Sequence, residues 1–337
     1  MEVSNTSEAD TYADGLELDL MSKADLKALT HTTTQILEEI GIQTSDEYAL
    51  NLYADAGCEV DFDSMVAKIP EALVMESIRS APKAFKLAAL DRKKDFKINS
   101  GSGFNLGPFA VGVQCMDYAG NGNYTVRDST AEDLKNATII ADFCDNYVVS
   151  DACVAARDLE GVARPFHEIF ISMTNTTKSF AYSEPDGNSF DDYFEMTKIA
   201  YGGDEELALK RPLVNIASCQ TSPLSICDNT SRVIVEAARR NVPNHIISMV
   251  MAGGTGPITP EGTLAVHNAE VLAGITLAQI ANKGAPVVYS SATTIMDMKT
   301  AGAATGSPEM GMFSAAVAKV GQYYNIPTSV AGAWTDS

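Results

Sequence analysis

From about residue 104 onward, short apolar runs rich in β-branched and aromatic residues alternate with longer amphipathic stretches. This alternation constrains the fold more than any other feature of the chain. The strand-like runs cover 104–108, 147–154, 179–183, 213–219, 245–251, 286–290 and 328–333. Apolar residues at helical spacing fill the gaps at 130–145, 165–174, 190–201, 228–241, 260–282 and 308–324. Residues 113–117 and 123–126 read as a hairpin turned at Ala119-Gly120-Asn121-Gly122. Strands recurring every ~30–45 residues with a helix between them predict a parallel α/β sheet. The expected fold class is a (β/α)8 TIM-type barrel, and a doubly wound open sheet is the alternative.

The first hundred residues read differently. Ser22 caps a helix that carries Leu26, Leu29, Thr33, Ile36, Leu37 and Ile40 and stops at Gly41. Ser45 opens a second helix with Glu47, Leu50 and Leu52. Pro70 sits in the first turn of a third, with Leu73, Val74 and Ile78, ending before Pro82. Residues 1–100 are therefore expected to form an N-terminal helical extension, and 101–337 the barrel. The last strand reaches Trp334-Thr335-Asp336-Ser337, where the sequence ends. Strand C-terminal tips build the active site of a β/α barrel. The expectation is either an open sheet of seven strands or the front part of a longer chain, its barrel incomplete at the C-terminus.

Charge narrows the function classes. Lys and Arg number 24 against 44 Asp and Glu, a net charge of −20. Nucleic acid and anionic membrane surfaces need clustered positive charge, so both are disfavoured as partners. A cationic ligand suits the balance, although a well-solvated acidic surface accounts for most of it. Residues 1–19 are polar and acidic, with no basic start followed by an apolar run. No uninterrupted apolar stretch of ~18 residues occurs. A cytoplasmic protein without a membrane span is expected. The six cysteines include no CxxC pair and make no disulfide framework.

Several familiar motifs are missing. Gly101-Ser102-Gly103 with Gly107 is not the dinucleotide fingerprint, and Gly253-Gly254-Thr255-Gly256 lacks the Lys-Ser/Thr of a phosphate loop. Tight turns at strand ends explain both. His31, His167, His245 and His267 stand far apart, and no His-Glu-x-x-His occurs, so no metal site is expected. No Gly-x-Ser-x-Gly elbow is present. Lys178 and Lys299 flank strand ends, where a Schiff base is conceivable and a solvated lysine far commoner. What stands out is the polar content of the strand tips: Ser183-Glu184, Gln220-Thr221-Ser222, Gly253-Gly254-Thr255, Ser290-Ser291, and the terminal Trp334 to Ser337. Such a mouth suits a small, weakly polar or cationic ligand. Trp334 could hold an alkylammonium by cation–π attraction; its spacing alone favours interior packing.

The run Met251 to Thr259, then Gly262-Thr263-Leu264, Asn268 to Ile275 and Gly284 to Tyr289, closely resembles the trimethylamine:corrinoid methyltransferase family. So do Cys219 to Leu224, Gly306-Ser307-Pro308-Glu309 and Thr335-Asp336-Ser337. Weaker similarity runs forward through Ala56-Gly57-Cys58 and the helix start at 130–134, so nearly the whole chain is covered. The resemblance implies a β/α barrel that moves a methyl group from a methylated amine to the Co(I) corrinoid of a separate corrinoid protein, with dimethylamine as the product from trimethylamine. It implies a place in methanogenesis from methylamines, a homo-oligomeric assembly, and no cofactor bound in the chain itself. Family members of the methanogen type carry pyrrolysine from an in-frame amber codon after the Thr-Asp-Ser motif, so pyrrolysine is expected immediately after Ser337. A methyl cation leaves a tertiary amine with difficulty, because the leaving group would be an amide anion. An imine electrophile that quaternises the amine removes that difficulty.

By strand-end placement, Asp336, Ser337 and Glu184 are the catalytic candidates, with Glu184 or Asp336 holding or removing a proton on the amine. Trp334, Gln220, Thr221, Ser222, Gly254, Thr255 and Ser290 are candidates for the substrate-binding wall. Hydrogen bonding that ties barrel loops is the plainer role for each. Two alternatives remain: a quaternary-amine methyltransferase of glycine betaine type without pyrrolysine, and a non-catalytic binding module for methylated amines.

Overall fold

The structure, a computed structural model, describes residues 20–101, 105–108, 111–183 and 185–331. Helix α1 (Lys23–Gln35) begins with a reciprocal cap. Ser22 Oγ accepts the Asp25 N–H at 3.2 Å, and the Asp25 carboxylate accepts the Ser22 N–H at 2.8 Å. The helix widens into a π-helical turn over Ile36–Ile40 and stops at Gly41, as its spacing predicts. Strand β1 (Ile42–Thr44) leads to α2 (Glu47–Asp55). The cap of α2 is Asp46, one residue beyond the expected Ser45, because its carboxylate is the group that accepts the Tyr48 N–H at 3.1 Å. Strands β2 (Glu59–Asp61) and β3 (Val66–Lys68) follow, then α3 (Glu71–Ser80) behind Pro70. The three helices were expected; the three-residue strands between them were not.

Two antiparallel hairpins come next, β4 (Ala84–Leu87) with β5 (Phe96–Asn99), and β6 (Gln114–Gly120) with β7 (Asn123–Asp128). The second is the one expected from sequence. Its turn holds Gly120, Asn121 and Gly122 at φ of 88°, 52° and 80°, which explains the Gly-Asn-Gly run. The chain then enters a regular alternation: α4 (Ala131–Phe143), β8 (Val149–Asp151), α5 (Arg164–Asn175), β9 (Ser179–Ser183), α6 (Phe190–Ala200), α7 (Glu205–Lys210) and β10 (Val214–Cys219). After a short strand β11 (Ser225–Ile226) come α8 (Asp228–Arg239), β12 (Asn244–Ser248), β13 (Met251–Ala252), α9 (Pro260–Ala281), β14 (Val287–Ser291), β15 (Thr294–Ile295), α10 (Pro308–Tyr324) and β16 (Thr328–Val330).

Strands β8, β9, β10, β12, β14 and β16 form one six-stranded sheet, all parallel and in sequence order. Their apolar side chains on one face, including Phe180, Ile216, Ile246 and Tyr289, join the cores formed with the intervening helices. A doubly wound sheet reverses its strand order and takes helices on both faces. Sequential order with the helices on one face instead describes a curled, barrel-like half. The expected strand at 104–108 falls partly outside the described residues. Within them, Leu106 bridges Tyr147 and Gly112 bridges Val154, both in the parallel sense, so this segment runs beside β8.

The N-terminal segment packs onto the outside of this sheet. Strand β1 is parallel to β11, with Gln43 opposite Ser225, so β11, β1, β3 and β2 form a second sheet. Helix α9 lies between the parallel sheet and α1, α2 and α3. Its residues Ala269 to Leu277 are all buried, and by length and composition alone it would pass for a membrane span. Several of the polar groups that accompany it are paired. Tyr53 Oη donates to the Ala273 carbonyl at 3.0 Å. The Asn268 amide accepts from Tyr289 Oη and donates to Thr33 Oγ1 and Tyr324 Oη, all within 2.9 Å. At Gly274 the helix approaches the sheet so closely that a Cβ would overlap the Gln220 amide and lie 2.7 Å from Ile246 Cγ2. Gly274→Ala should therefore lower stability by about 1–3 kcal/mol in urea unfolding, the usual cost of overpacking. An unchanged midpoint would show that Gln220 moves away freely.

Candidate active site

Register assigns the two faces of the parallel sheet. Phe180 and Tyr182 on β9 and Val214 and Ile216 on β10 belong to the helix-side core. The alternate residues therefore face the other, concave side. Ser183, Ala217, His245 and Val288 are successive partners across β9, β10, β12 and β14, and Cys219, Ile247, Ser290 and Ser329 form the next row toward the C-terminal edge. Most of these side chains are small or polar. Closed barrels normally fill this space with Val, Ile and Leu, so most of the side chains on the C-terminal half of the concave face are smaller or more polar than a barrel interior usually carries.

The structure distributes the sequence candidates over both faces. Ser290 lies in the concave row and is buried. Gln220 continues β10 on the helix side, over Gly274, and neither its amide N nor its O has a partner among the described residues. Thr221 and Ser225 exchange backbone hydrogen bonds of 2.9 and 3.0 Å, closing a tight loop at the C-terminal tip of β10. Ser222, inside that loop, is directed to α9. Gly254 is exposed in the turn after β13, and Thr255 Oγ1 accepts the Met251 N–H at 2.9 Å, tying the same turn. Glu184, Trp334, Asp336 and Ser337 lie outside the described residues. Lys178 is buried, and its Nζ donates to the carbonyls of Ala141 and Cys144 at 2.7 Å, capping the end of α4; Lys299 is exposed.

Beyond β12 and β14 the chain keeps pairing. Ala292, Thr294 and Met296 donate to the carbonyls of Ser248, Val250 and Ala252, and β13 runs parallel to β15. This ribbon extends the sheet past its edge and carries Gly254 and Thr255 with it.

Glu270, not singled out from sequence, organises this edge. It is fully buried on α9. Its carboxylate accepts Ser222 Oγ at 2.8 Å, Ser248 Oγ at 2.6 Å and the Leu224 N–H at 2.8 Å. One side chain thus fixes the loop after β10 and the end of β12. Burial raises its pKa above the ordinary glutamate value, and the three hydrogen bonds oppose that shift. The usable signal was an acidic residue within an otherwise apolar helical run. Asp151, Cys219 and His245 were also passed over as site residues; all three lie on the concave face, by the strand alternation above. Among the described residues no three His, Cys, Asp or Glu side chains converge to hold a metal ion.

Glu270→Ala would leave three donors without an acceptor, that of Ser248 fully buried, and should cost about 2–4 kcal/mol in urea unfolding at neutral pH. Glu270→Gln keeps one acceptor oxygen and should cost less. A folded-state pKa raised by burial favours the protonated form. The stability of the parent relative to Glu270→Gln should therefore be greatest below the unfolded glutamate pKa and decline as pH rises through the folded value. Equal stability of parent and Glu270→Ala would show that the three donors find other partners.

Comparison with known proteins places this geometry. The family model described as trimethylamine methyltransferase (MTTB) matches residues 6–337. The chain is 39% identical to the trimethylamine methyltransferase MttB of Methanosarcina thermophila over 324 residues, covering 96% of this chain and 67% of the relative. It is 40% identical to MttB1 of Methanosarcina mazei, covering 96% of this chain and 65% of that protein. A glycine betaine methyltransferase of Desulfitobacterium hafniense is more distant, at 30% over 320 residues, with 94% of this chain and 65% of that protein covered. The chain thus spans about two thirds of the length of the curated relatives it matches. With the match running almost end to end, the chain belongs to the trimethylamine methyltransferase family.

Proposed function

We propose that the full-length protein moves a methyl group from trimethylamine to the Co(I) corrinoid of a partner corrinoid protein, releasing dimethylamine, in methanogenesis from methylamines. One observation carries the reading. Identity to proteins named trimethylamine methyltransferases is 39–40% over nearly the whole chain, against 30% to the glycine betaine methyltransferase. The parallel, sequentially ordered sheet supports a place within a (β/α)8 barrel, with residues 1–100 as its helical extension and 101–337 as the barrel portion. A cytoplasmic homo-oligomer is part of the same reading.

In this reading the amine binds on the concave face at the C-terminal edge of the sheet. Ser290, with Thr221, Gly254 and Thr255 on the bordering loops and with Trp334, forms the pocket wall. Gln220 and Ser222 act from the other face, through Gly274 and Glu270, by holding the β10 loop in place. Glu184, Asp336 and Ser337 take the reacting end of the substrate. The position after Ser337 is assigned to pyrrolysine, which supplies an electrophile for the amine nitrogen. The small concave side chains of Ser183, Ala217 and Cys219, in two neighbouring rows, are consistent with three methyl groups.

The test follows cobalt methylation spectroscopically with full-length protein, its corrinoid protein reduced to Co(I), and each amine in turn. Trimethylamine should methylate cobalt and glycine betaine should not. A lysine at the position after Ser337 should abolish transfer. Preference for betaine, or a lysine form as fast as the parent, would establish the quaternary-amine reading instead. Amine binding with no methylation at all would favour a binding module.

A further inference from the structure

Asp151 ends β8, and its register partner is Ala181, which is also the partner of Asn215 on β10. Its neighbour Ser150 pairs with Phe180 of the helix-side core, so Asp151 faces the concave side. The carboxyl Oδ1 is buried and has no hydrogen-bond partner among the described residues. Burial pushes this carboxyl up to about 8, against a weaker contribution from the Ala152 N–H. The residues beside it on the sheet, Ala181, Ser183 and Ala217, are small.

The titratable groups around it are few. Cys153, just beyond β8, has its thiol pushed up to about 11 by burial, with the Asp151 charge adding to the shift. His245, on the same face, is pushed down to about 4 by burial. Both are neutral near pH 7. Cys219 lies one row nearer the edge. Helix α4, packed on the opposite face, turns Asp142 toward Thr176, Thr177 and Lys94. None of the six parallel strands carries Lys or Arg. A small cation reaching this face therefore meets an unpaired carboxyl and no positive charge from the strands.

We propose that Asp151 takes the proton from a trialkylammonium ion bound on the concave face and so frees the amine lone pair; this rests on the reading of the chain as a trimethylamine methyltransferase. Alkylammonium ions keep their proton at neutral pH, as the lysine side chain does with a pKa of about 10.4. A protonated amine has no lone pair to offer an electrophile. In the transfer, the ammonium N–H bond breaks and an O–H bond forms at Asp151 Oδ1. The electron pair of the N–H bond stays on nitrogen. A cation and an anion become two neutral groups, the direction that burial favours. The single N–H of the substrate also has one acceptor to aim at, which orients the nitrogen.

The probe is tetramethylammonium, which has no proton to lose, so any pH dependence of its binding belongs to the protein. With a carboxyl that titrates near 8, its affinity for the full-length protein, measured by calorimetry, should rise about tenfold between pH 7 and pH 9. D151N should abolish that rise, and D151E should keep it. In cobalt methylation, D151N should lower the trimethylamine rate about 100-fold or more, the range of general base catalysis. Flat affinity or no binding in the unaltered protein overturns the proposal whether or not the variants fold. So does a rise that D151N retains. Loss of cobalt methylation from trimethylamine in the unaltered protein would sink the functional reading separately, since the tetramethylammonium series does not depend on it.

Discussion

Helix α9 has no solvent face. An ordinary barrel helix covers its strands with one stripe and shows the other to water. Here the stretch from Ala269 to Leu277 is buried all round, between the parallel sheet on one side and α1, α2 and α3 on the other. Left uncovered, such a helix would present a continuous apolar surface to water, a liability for any soluble fold. The N-terminal hundred residues resolve this by supplying an outer layer. Two of the polar groups that α9 brings inside, Asn268 and Glu270, then serve as ties. Asn268 joins α1, β14 and α10, and Glu270 joins the loop after β10 to the end of β12.

Much of this was legible in the chain. The cap read at Ser22 is present, its side chain accepting the Asp25 N–H, and Thr130, Thr259 and Ser307 cap later helices in the same way. Strand β9 spans the residues expected, and the Gly-Asn-Gly hairpin turn is where its chemistry requires it. Strands β1 to β3 were not legible, because three residues give no measurable alternation and the partner of β1 lies in β11, far along the chain. The sidedness of the edge was partly legible. Ile216, Ser218 and Gln220 share a face by period two, and an apolar Ile216 marks that face as the one against helices. Counting polar residues at the tip without following that period is what grouped Gln220 and Ser222 with Ser290.

The same period explains the contrast between the two faces. The helix side holds Phe180, Tyr182, Ile216, Ile246 and Tyr289, which need close packing. The concave side holds Ser183, Ala217, Asn215 and Asp151 beside His245, Ile247 and Val288, a mostly smaller and more polar set. Sequence that fails to fill space in an otherwise well-packed fold is where function is to be sought.

The outer layer also imposes an order of assembly. Thr33 is bonded to Asn268 across 235 positions, Tyr53 to Ala273 across 220, and Asp46 to Ser231 across 185. Every one of these partners is made after the residue that needs it. At a ribosomal rate of about 5–20 residues per second, the first helices emerge and wait on the order of ten seconds or more before α8 and α9 exist to receive them. During that interval Leu26, Leu37, Leu50 and Tyr53, all buried in the finished molecule, have no surface to close on. The nascent chain thus carries its uncovered apolar surface at its beginning rather than its end. A variant that slows elongation near residue 230 would be read first as aggregation of the amino-terminal segment.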